Sequence, residues 1–308
     1  MRYEYSIIGD WPNTYTFTKA ITENLISINE YDLPISIFRP SIVGCTKSEP
    51  YPGWFENMTG PPGIITGIMV GFLRAVLVDE SKVFDLVPAD YTVNALIGVM
   101  WETVNRYQRD DRIKKKPKIY NYVSGVECPL TWGKYIKEMH VHYHKAPPFR
   151  AIWYVFSICY TNLWTGQFLR FWLHRIPAVF VDLLLRVNGQ KPKMMKMYSK
   201  TENLMDLYYT FSTKEWKFDN TNTRQLWSTM NPEERVLFKF NFEEFDWLSY
   251  IKCYYYGIRK YILHEDTDNI SKALAKNRKL FWLHNFCIVV LIFVVLQICW
   301  VFLSRIIC

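Results

Sequence analysis

Thr16-Phe-Thr-Lys-Ala-Ile-Thr-Glu-Asn-Leu-Ile-Ser-Ile-Asn-Glu30, followed two residues later by Leu33-Pro-Ile-Ser-Ile-Phe-Arg-Pro40, sets the fold class of this 308-residue chain. In the first run Phe17, Ala20, Ile21, Leu25 and Ile28 recur at helical spacing behind the turn signal Trp11-Pro-Asn13. In the second, apolar and polar residues alternate through Ile35, Ser36 and Ile37 before a loop at Arg39-Pro40, the pattern of a strand. A helix that feeds a buried strand is the repeating unit of a doubly wound sheet, and ligands of such sheets sit beyond the carboxyl ends of the strands. Pro40, Ser41, Ile42, Val43 and Gly44 are therefore where a cofactor or substrate is expected.

Working outward, Pro52 to Asn57 and Gly60 to Gly63 are turn-rich. Gly63, Gly67 and Gly71 then recur every four residues; this stripe predicts close helix packing and not a phosphate cradle, because no Gly-Lys-Ser/Thr follows. Val83-Phe-Asp-Leu-Val-Pro88 reads as a further strand, Asp90 as the cap of a helix over Tyr91 to Val104, and Ile119-Tyr-Asn-Tyr-Val123 as the strand that closes the sheet. After Gly125 the patterning turns helical, at Leu130 to Met139, Ile176 to Val187, Lys200 to Tyr209 and Trp247 to Leu263. Asn231-Pro-Glu-Glu234 carries a capping amide, a proline at the first helical position and carboxylates at the positive end of the dipole.

Phe286 to Leu303 is eighteen residues with one amide and no charge. As a helix it spans about 27 Å, close to a hydrocarbon core. Trp282 and Trp300 are placed as interfacial anchors, and Lys272, Lys276, Arg278 and Lys279 precede the span against Arg305 alone after it. A single-pass tail anchor with the body on the cytoplasmic side follows. A second apolar stretch, Ala151 to Leu169, is broken by Ser157, Thr161, Asn162, Thr165 and Gln167, and reads as a buried or interfacial helix.

Composition narrows the function. Half the residues are hydrophobic and 17% are aromatic, which excludes a disordered chain and suits an apolar ligand, a bilayer interface or a bulky core. The formal charge is +8, but its densest run, Lys114-Lys-Lys-Pro-Lys118, lacks interleaved aromatics and reads as a solvated loop, so nucleic acid is not an expected partner. Seven scattered cysteines form no Cys-x-x-Cys pair, and reduced thiols on a cytosolic face fit best. There the sequons at Asn57 and Asn269 go unused. His140, His142 and His144 have no nearby carboxylate or thiol to complete a metal shell, so no metal is expected.

Tyr15 and Lys19 are the candidate catalytic pair. Four apart on one helix face, they allow the ammonium to acidify the phenol, which makes a proton donor for carbonyl reduction. The spacing arises by chance in a chain this rich in both residues, and its second instance, Tyr256 and Lys260, reads as ordinary helix surface. Context sets the first apart, since its helix leads straight to Arg39-Pro40.

The ordered series Trp11 to Lys19, Leu33 to Val43, Pro52-Gly-Trp54, Asn57 with Gly60-Pro61, and Asp85 to Asp90 resembles the fatty acyl-CoA reductases of the extended short-chain dehydrogenase superfamily, particularly those of insects. Pro129-Leu-Thr-Trp132 and Ile176-Pro-Ala178 continue it. Gly189-Gln-Lys-Pro-Lys193, Trp216-Lys-Phe218 and Gly257-Ile-Arg-Lys-Tyr261 look like that family's helical carboxyl-terminal, or sterile, domain. The resemblance implies an α/β fold: the carboxyl-terminal half of a Rossmann-like doubly wound parallel sheet over residues 1–125, an α-rich second domain over 126–265, and a transmembrane helix over 281–303.

It also implies two hydride transfers from NADPH, taking a long-chain fatty acyl-CoA to an aldehyde and then to a primary alcohol. Tyr15 would protonate the developing alkoxide, Lys19 would lower its pKa and hold the nicotinamide ribose, and Pro40, Ser41, Ile42 and Val43 would lie beside the nicotinamide. The bilayer would receive the greasy product at the peroxisome or endoplasmic reticulum, and a homo-oligomer is compatible with all of this. The family's glycine-rich phosphate loop and its catalytic serine have no counterpart here, so a truncated chain with weak independent activity is the expectation. The alternatives are a membrane-anchored remnant that binds lipid or a partner reductase, and a sterol- or sugar-modifying dehydrogenase lacking the later motifs.

Overall fold

The structure, a computed structural model, describes residues 9–307 apart from 12, 29–32, 57, 59 and 110–116, with backbone alone for 301–303 and 305–307. Lys114 to Lys116, Asn57, the expected helix end at Glu30 and the terminal Cys308 lie outside the described residues. In chain order the elements are α1 (Thr14–Ile28), β1 (Ser36–Pro40), β2 (Ile42–Val43), α2 (Pro61–Met69), β3 (Ala75–Leu77), β4 (Leu86–Val87), α3 (Ala89–Arg109), β5 (Lys118–Tyr122) and α4 (Trp132–Lys145). Then follow β6 (Ile158–Tyr160), α5 (Leu163–Arg170), α6 (Ile176–Val187), α7 (Met194–Leu207), α8 (Tyr209–Thr213), α9 (Thr221–Thr229), α10 (Pro232–Leu237), α11 (Trp247–Gly257) and α12 (Ile270–Ile307). Phe171–Arg175 joins α5 to α6 as a π-helical turn, and Ile258–Ile262 extends α11 in the same way.

Every described strand pair is parallel: β1 with β5, β2 with β4, and β3 with β6. Parallel neighbours require long crossovers, and helices supply them here, so the chain is α/β. The polypeptide changes partner at Ser41. Its N–H donates to Tyr122 O (2.9 Å), whereas the next N–H, of Ile42, donates to Asp85 O (3.1 Å). Successive N–H groups of a strand point to opposite edges, so β4 and β5 flank it from two sides. Among the described residues β1 has a strand partner on one edge only.

The main core is aromatic and crosses residue 125. Phe84 stacks on Trp132 with ring centroids 3.7 Å apart, Phe55 meets Tyr254 edge-on at 4.7 Å, and Tyr122, Phe240 and Phe242 pack together. Tyr250, Ile251, Tyr254, Tyr255 and Ile258 are wholly buried along α11. Part of the high aromatic content thus fills a core, and buried offset or edge-to-face ring pairs add about 0.5–1.5 kcal/mol each beyond their area.

Three expectations need correcting. Ala151 to Leu169 is not one helix: Ile152 N–H donates to Val70 O (2.8 Å) and Ile158 N–H to Arg74 O (2.8 Å), so pairing with β3 draws the segment out as β6. The helix begins only at Leu163, where the Asn162 side chain caps Trp164 N–H. Asp90 lies inside the first turn of α3 and does not cap it; its carboxylate accepts the N–H groups of Lys47, Ser48 and Glu49 at 2.8–3.1 Å. Of the glycine stripe, Gly67 packs on Leu73, but Gly71 sits past the helix at φ +74°, where a Cβ would strike Trp153 O. Asn231 forms the expected cap, with Glu234 closing a capping box.

Candidate functional site

Asn13 starts the helix that carries the candidate pair. Its Oδ1 accepts Thr16 N–H (2.9 Å), so α1 begins two residues ahead of the sequence expectation and Tyr15 falls in its first turn. Tyr15 and Lys19 share a face, with the Lys19 ammonium 5.9 Å from the centroid of the Tyr15 ring. Both side chains are exposed, Tyr15 at 65%, and no described residue of α1 is buried. One turn beyond Lys19, Glu23 receives the Arg39 guanidinium through both oxygens, Nε at 2.9 Å. This fork ties α1 to the carboxyl end of β1 and brings the helix alongside Pro40. Its partners are open to water, so it orients more than it stabilises.

The Pro40 to Gly44 segment is held from several directions. Gly44 N–H donates to Val87 O (2.8 Å), and the Tyr250 hydroxyl donates to Cys45 O (2.8 Å). A Cβ on Gly44 would lie 2.5 Å from that hydroxyl, which explains the glycine. The Cys45 thiol is buried, and its pKa is pushed far up by burial, so it is packing and not a nucleophile. Asp90 latches the following loop, and Asp85 accepts Ser124 N–H (2.8 Å) from the adjoining strand end. Sequence reasoning missed both latches, although the two acids bracket the quoted motif Asp85 to Asp90.

Ser41 is the informative residue of the loop. Its hydroxyl is buried and, like six other buried side-chain polar atoms, the Tyr135 and Tyr254 hydroxyls among them, has no hydrogen-bond partner among the described residues. An orphaned donor and acceptor at the carboxyl end of a parallel strand fits the carboxamide of a nicotinamide, and Lys19 offers an exposed cation for ribose hydroxyls. The residues present therefore suit such a cofactor. No group of three His, Cys, Asp or Glu placed to hold a metal ion occurs among the described residues; contrary to the sequence reading a carboxylate does lie close, Glu138 being 3.3 Å from His142 Nε2, and the His142 ring packs near Tyr255 and Tyr256.

Two clefts open elsewhere, and neither is lined by Tyr15, Lys19 or any of residues 40–44. One opens at the carboxyl end of β5, lined by Tyr122, Glu127, Asn220, Arg224 and Phe242. The other, about 60 Å³, lies between α2 and α4 and is walled by Ile65, Ile68, Met69, Ile136, Met139 and Val155. Its inner wall includes Tyr135, whose ring packs against Tyr254 at 5.7 Å, and Tyr254 in turn reaches Gly44.

An NAD-binding male sterility protein family model matches residues 3–96, which include Tyr15, Lys19 and the 40–44 loop, and a second male sterility protein model matches residues 173–265. Fatty acyl-CoA reductase wat of Drosophila melanogaster is 36% identical over 280 residues, 91% of this chain and 53% of the relative. Fatty acyl-CoA reductase 2 of Bos taurus is 36% identical over 283 residues, covering 91% and 54%, and fatty acyl-CoA reductase 1 of Xenopus laevis is 34% identical over 296 residues, covering 93% and 55%. The chain spans about half the length of the curated relatives it matches. With both male sterility segments in place, the chain is similar along nine-tenths of its length to fatty acyl-CoA reductases.

Proposed function

We propose that this chain carries the proton-donating and substrate-holding portion of an NADPH-dependent reductase that converts long-chain fatty acyl-CoA through an aldehyde to a primary alcohol. The observation that carries this reading is the placement of Tyr15 and Lys19 on a helix tied by Glu23 and Arg39 to the strand whose end holds the orphaned Ser41 hydroxyl. NADPH, when bound, supplies hydride. Tyr15 gives its phenolic proton to the alkoxide oxygen as that oxygen gains charge, and the Lys19 ammonium stabilises the phenolate left behind. Pro40, Ser41, Ile42 and Val43 position the nicotinamide.

We assign residues 1–125 to a Rossmann-like, doubly wound cofactor domain, 126–265 to the sterile domain and 281–303 to the anchor; the family matches at 3–96 and 173–265 fall on either side of the first boundary. Among the described residues one helix is long and apolar enough to cross a membrane, and its run from Phe286 to Trp300 is exposed. The flanking cations favour a cytoplasmic body, at the peroxisome or endoplasmic reticulum.

The test is alcohol formation from NADPH and a long-chain acyl-CoA in membranes carrying the chain fused behind the amino-terminal half of a curated relative. Tyr15→Phe is expected to lower turnover about 10²- to 10⁴-fold, the range for loss of a positioned general acid. Equal alcohol yield from the two proteins rejects the role given to Tyr15.

A further inference from the structure

Leu163 to Val187 is one continuous helical rod, α5, the π-turn and α6, about 37 Å long. Its polarity is inverted. Gly166, Arg170, His174, Ala178 and Asp182, four residues apart, form the buried side. Arg170 forks onto Asp206, His174 Nε2 accepts the N–H groups of Arg74 and Ala75, and Asp182 accepts those of Lys193, Met194 and Met195. The outward side carries Trp164, Phe168, Trp172, Phe180, Leu184 and Val187, between 51% and 82% exposed. A helix facing water buries its apolar stripe and shows its polar one. This rod does the reverse, and hydrogen bonds hold the charged side inward, so the rod cannot simply roll over.

We propose that this outward face lies in the interfacial layer of an anionic bilayer, as a second membrane contact beside α12. Charge selects lipid over a protein partner. Residues 163–200 contain seven Lys or Arg and a single acid, Asp182, which is turned inward. Arg175 pairs with Glu202, but Arg186, Lys191, Lys193 and Lys196 are exposed, the cations that lie beside aromatic and aliphatic residues on helices seated among anionic headgroups.

Position agrees. The amino-terminal half of α12 docks on residues 149–156: Lys276 Nζ donates to Phe149 O (2.9 Å), Phe281 meets the Tyr154 ring, and His284 accepts from the Trp153 indole (3.1 Å) and stacks on Phe156. Phe286 is already open, at 66%. If α12 enters the bilayer at this point, Phe156 lies at its surface, and the seven residues from Phe156 to Leu163 reach at most about 25 Å. The rod therefore starts within reach of the membrane plane. In this respect the inference rests on reading α12 as the anchor.

The full chain, reconstituted in phosphatidylcholine vesicles with and without phosphatidylserine, is photolabelled with a diazirine-bearing phospholipid and the adducts are mapped. Adducts on the Trp164 to Leu184 face should exceed those on Val236 and Leu237, which are equally exposed on α10, by at least about fivefold. They should rise with phosphatidylserine and fall with added salt. The triple variant Phe168→Ser/Phe180→Ser/Leu184→Ser alters only outward side chains and should lose adducts in 163–187 while keeping those in 286–300. Adducts in 286–300 alone from the unaltered chain, or labelling of α10 as strong as that of the rod, overturn the inference and leave the anchor standing. Adducts in 163–187 without any in 286–300 sink the anchor and support the face.

Discussion

α11 and the α5–α6 rod are both rich in aromatic and aliphatic residues, yet the fold treats them in opposite ways. α11 places Trp247, Tyr250, Tyr254 and Tyr255 at 0–3% exposure in the main core, whereas the rod directs rings of the same kind outward and keeps Arg170 and His174 inside. Hydropathy alone does not separate the two. The difference lies in what each buried side meets: α11 faces Phe55, Tyr135 and Phe245, while the rod faces acids and free backbone N–H groups that only polar side chains can satisfy. An apolar stripe therefore marks a helix that needs a non-aqueous neighbour, and the surrounding polar groups determine whether that neighbour is protein.

The sharpest way to break this contrast is truncation on the two sides. Tyr254→Ala removes a fully buried ring and is expected to cost about 3–5 kcal/mol, seen as a large fall in the urea midpoint in detergent micelles. Next in size is the polar lining of the rod. Asp206→Asn leaves the buried Arg170 guanidinium without its charged partner; since Asp206 is itself half-exposed, the loss should be about 1–2 kcal/mol in the same measurement.

A smaller effect comes from pH. Burial, only partly offset by Glu202, holds His174 below its ordinary 6.5, and its Nε2 already accepts two backbone N–H groups, so the folded state requires the neutral ring. The unfolded chain binds the proton more readily, so this contribution is complete above about pH 6.5 and is lost as pH falls towards and through the depressed folded value. The urea midpoint should drop between pH 7.5 and pH 5.5. His174→Asn should flatten that slope, with His140 and His142, also depressed by burial, leaving a residue of it. Smallest of all, Phe180→Ala on the outward face should change the micellar midpoint by no more than about 0.5 kcal/mol. A loss there as large as for Tyr254→Ala would erase the distinction between the two helices.

Much of the architecture was legible in the residues. The helix leading to Ser36–Pro40, the strand ending at Tyr122, α6 and the capped start at Asn231 all declare themselves through local periodicity or capping chemistry. The misreadings share one cause. Residues 151–160 have an apolar composition compatible with a helix, but the backbone of residues 70–77 offers hydrogen bonds that favour extension. Asp90 looks like a cap in the one-dimensional pattern, yet three N–H groups from a loop more than forty residues earlier in the chain claim its carboxylate. Of the candidate site, Tyr15, Lys19 and the 40–43 loop could be named from spacing and resemblance. The tie between Glu23 and Arg39 and the orphaned Ser41 hydroxyl could not, because both depend on which atoms folding leaves paired.

The sequence by itself determined where most of the helices and the strands ending at Pro40 and Tyr122 form, that the chain carries a long uncharged segment, and which tyrosine and lysine share a helix face, since each of these follows from periods of two or 3.6 residues and from local caps. Only the tertiary structure decided that the chain changes strand partner at Ser41 and that the rod from Leu163 to Val187 turns its aromatic side outward. Those outcomes depend on hydrogen-bond partners distant in sequence, and no local pattern encodes which partner a buried polar group will find.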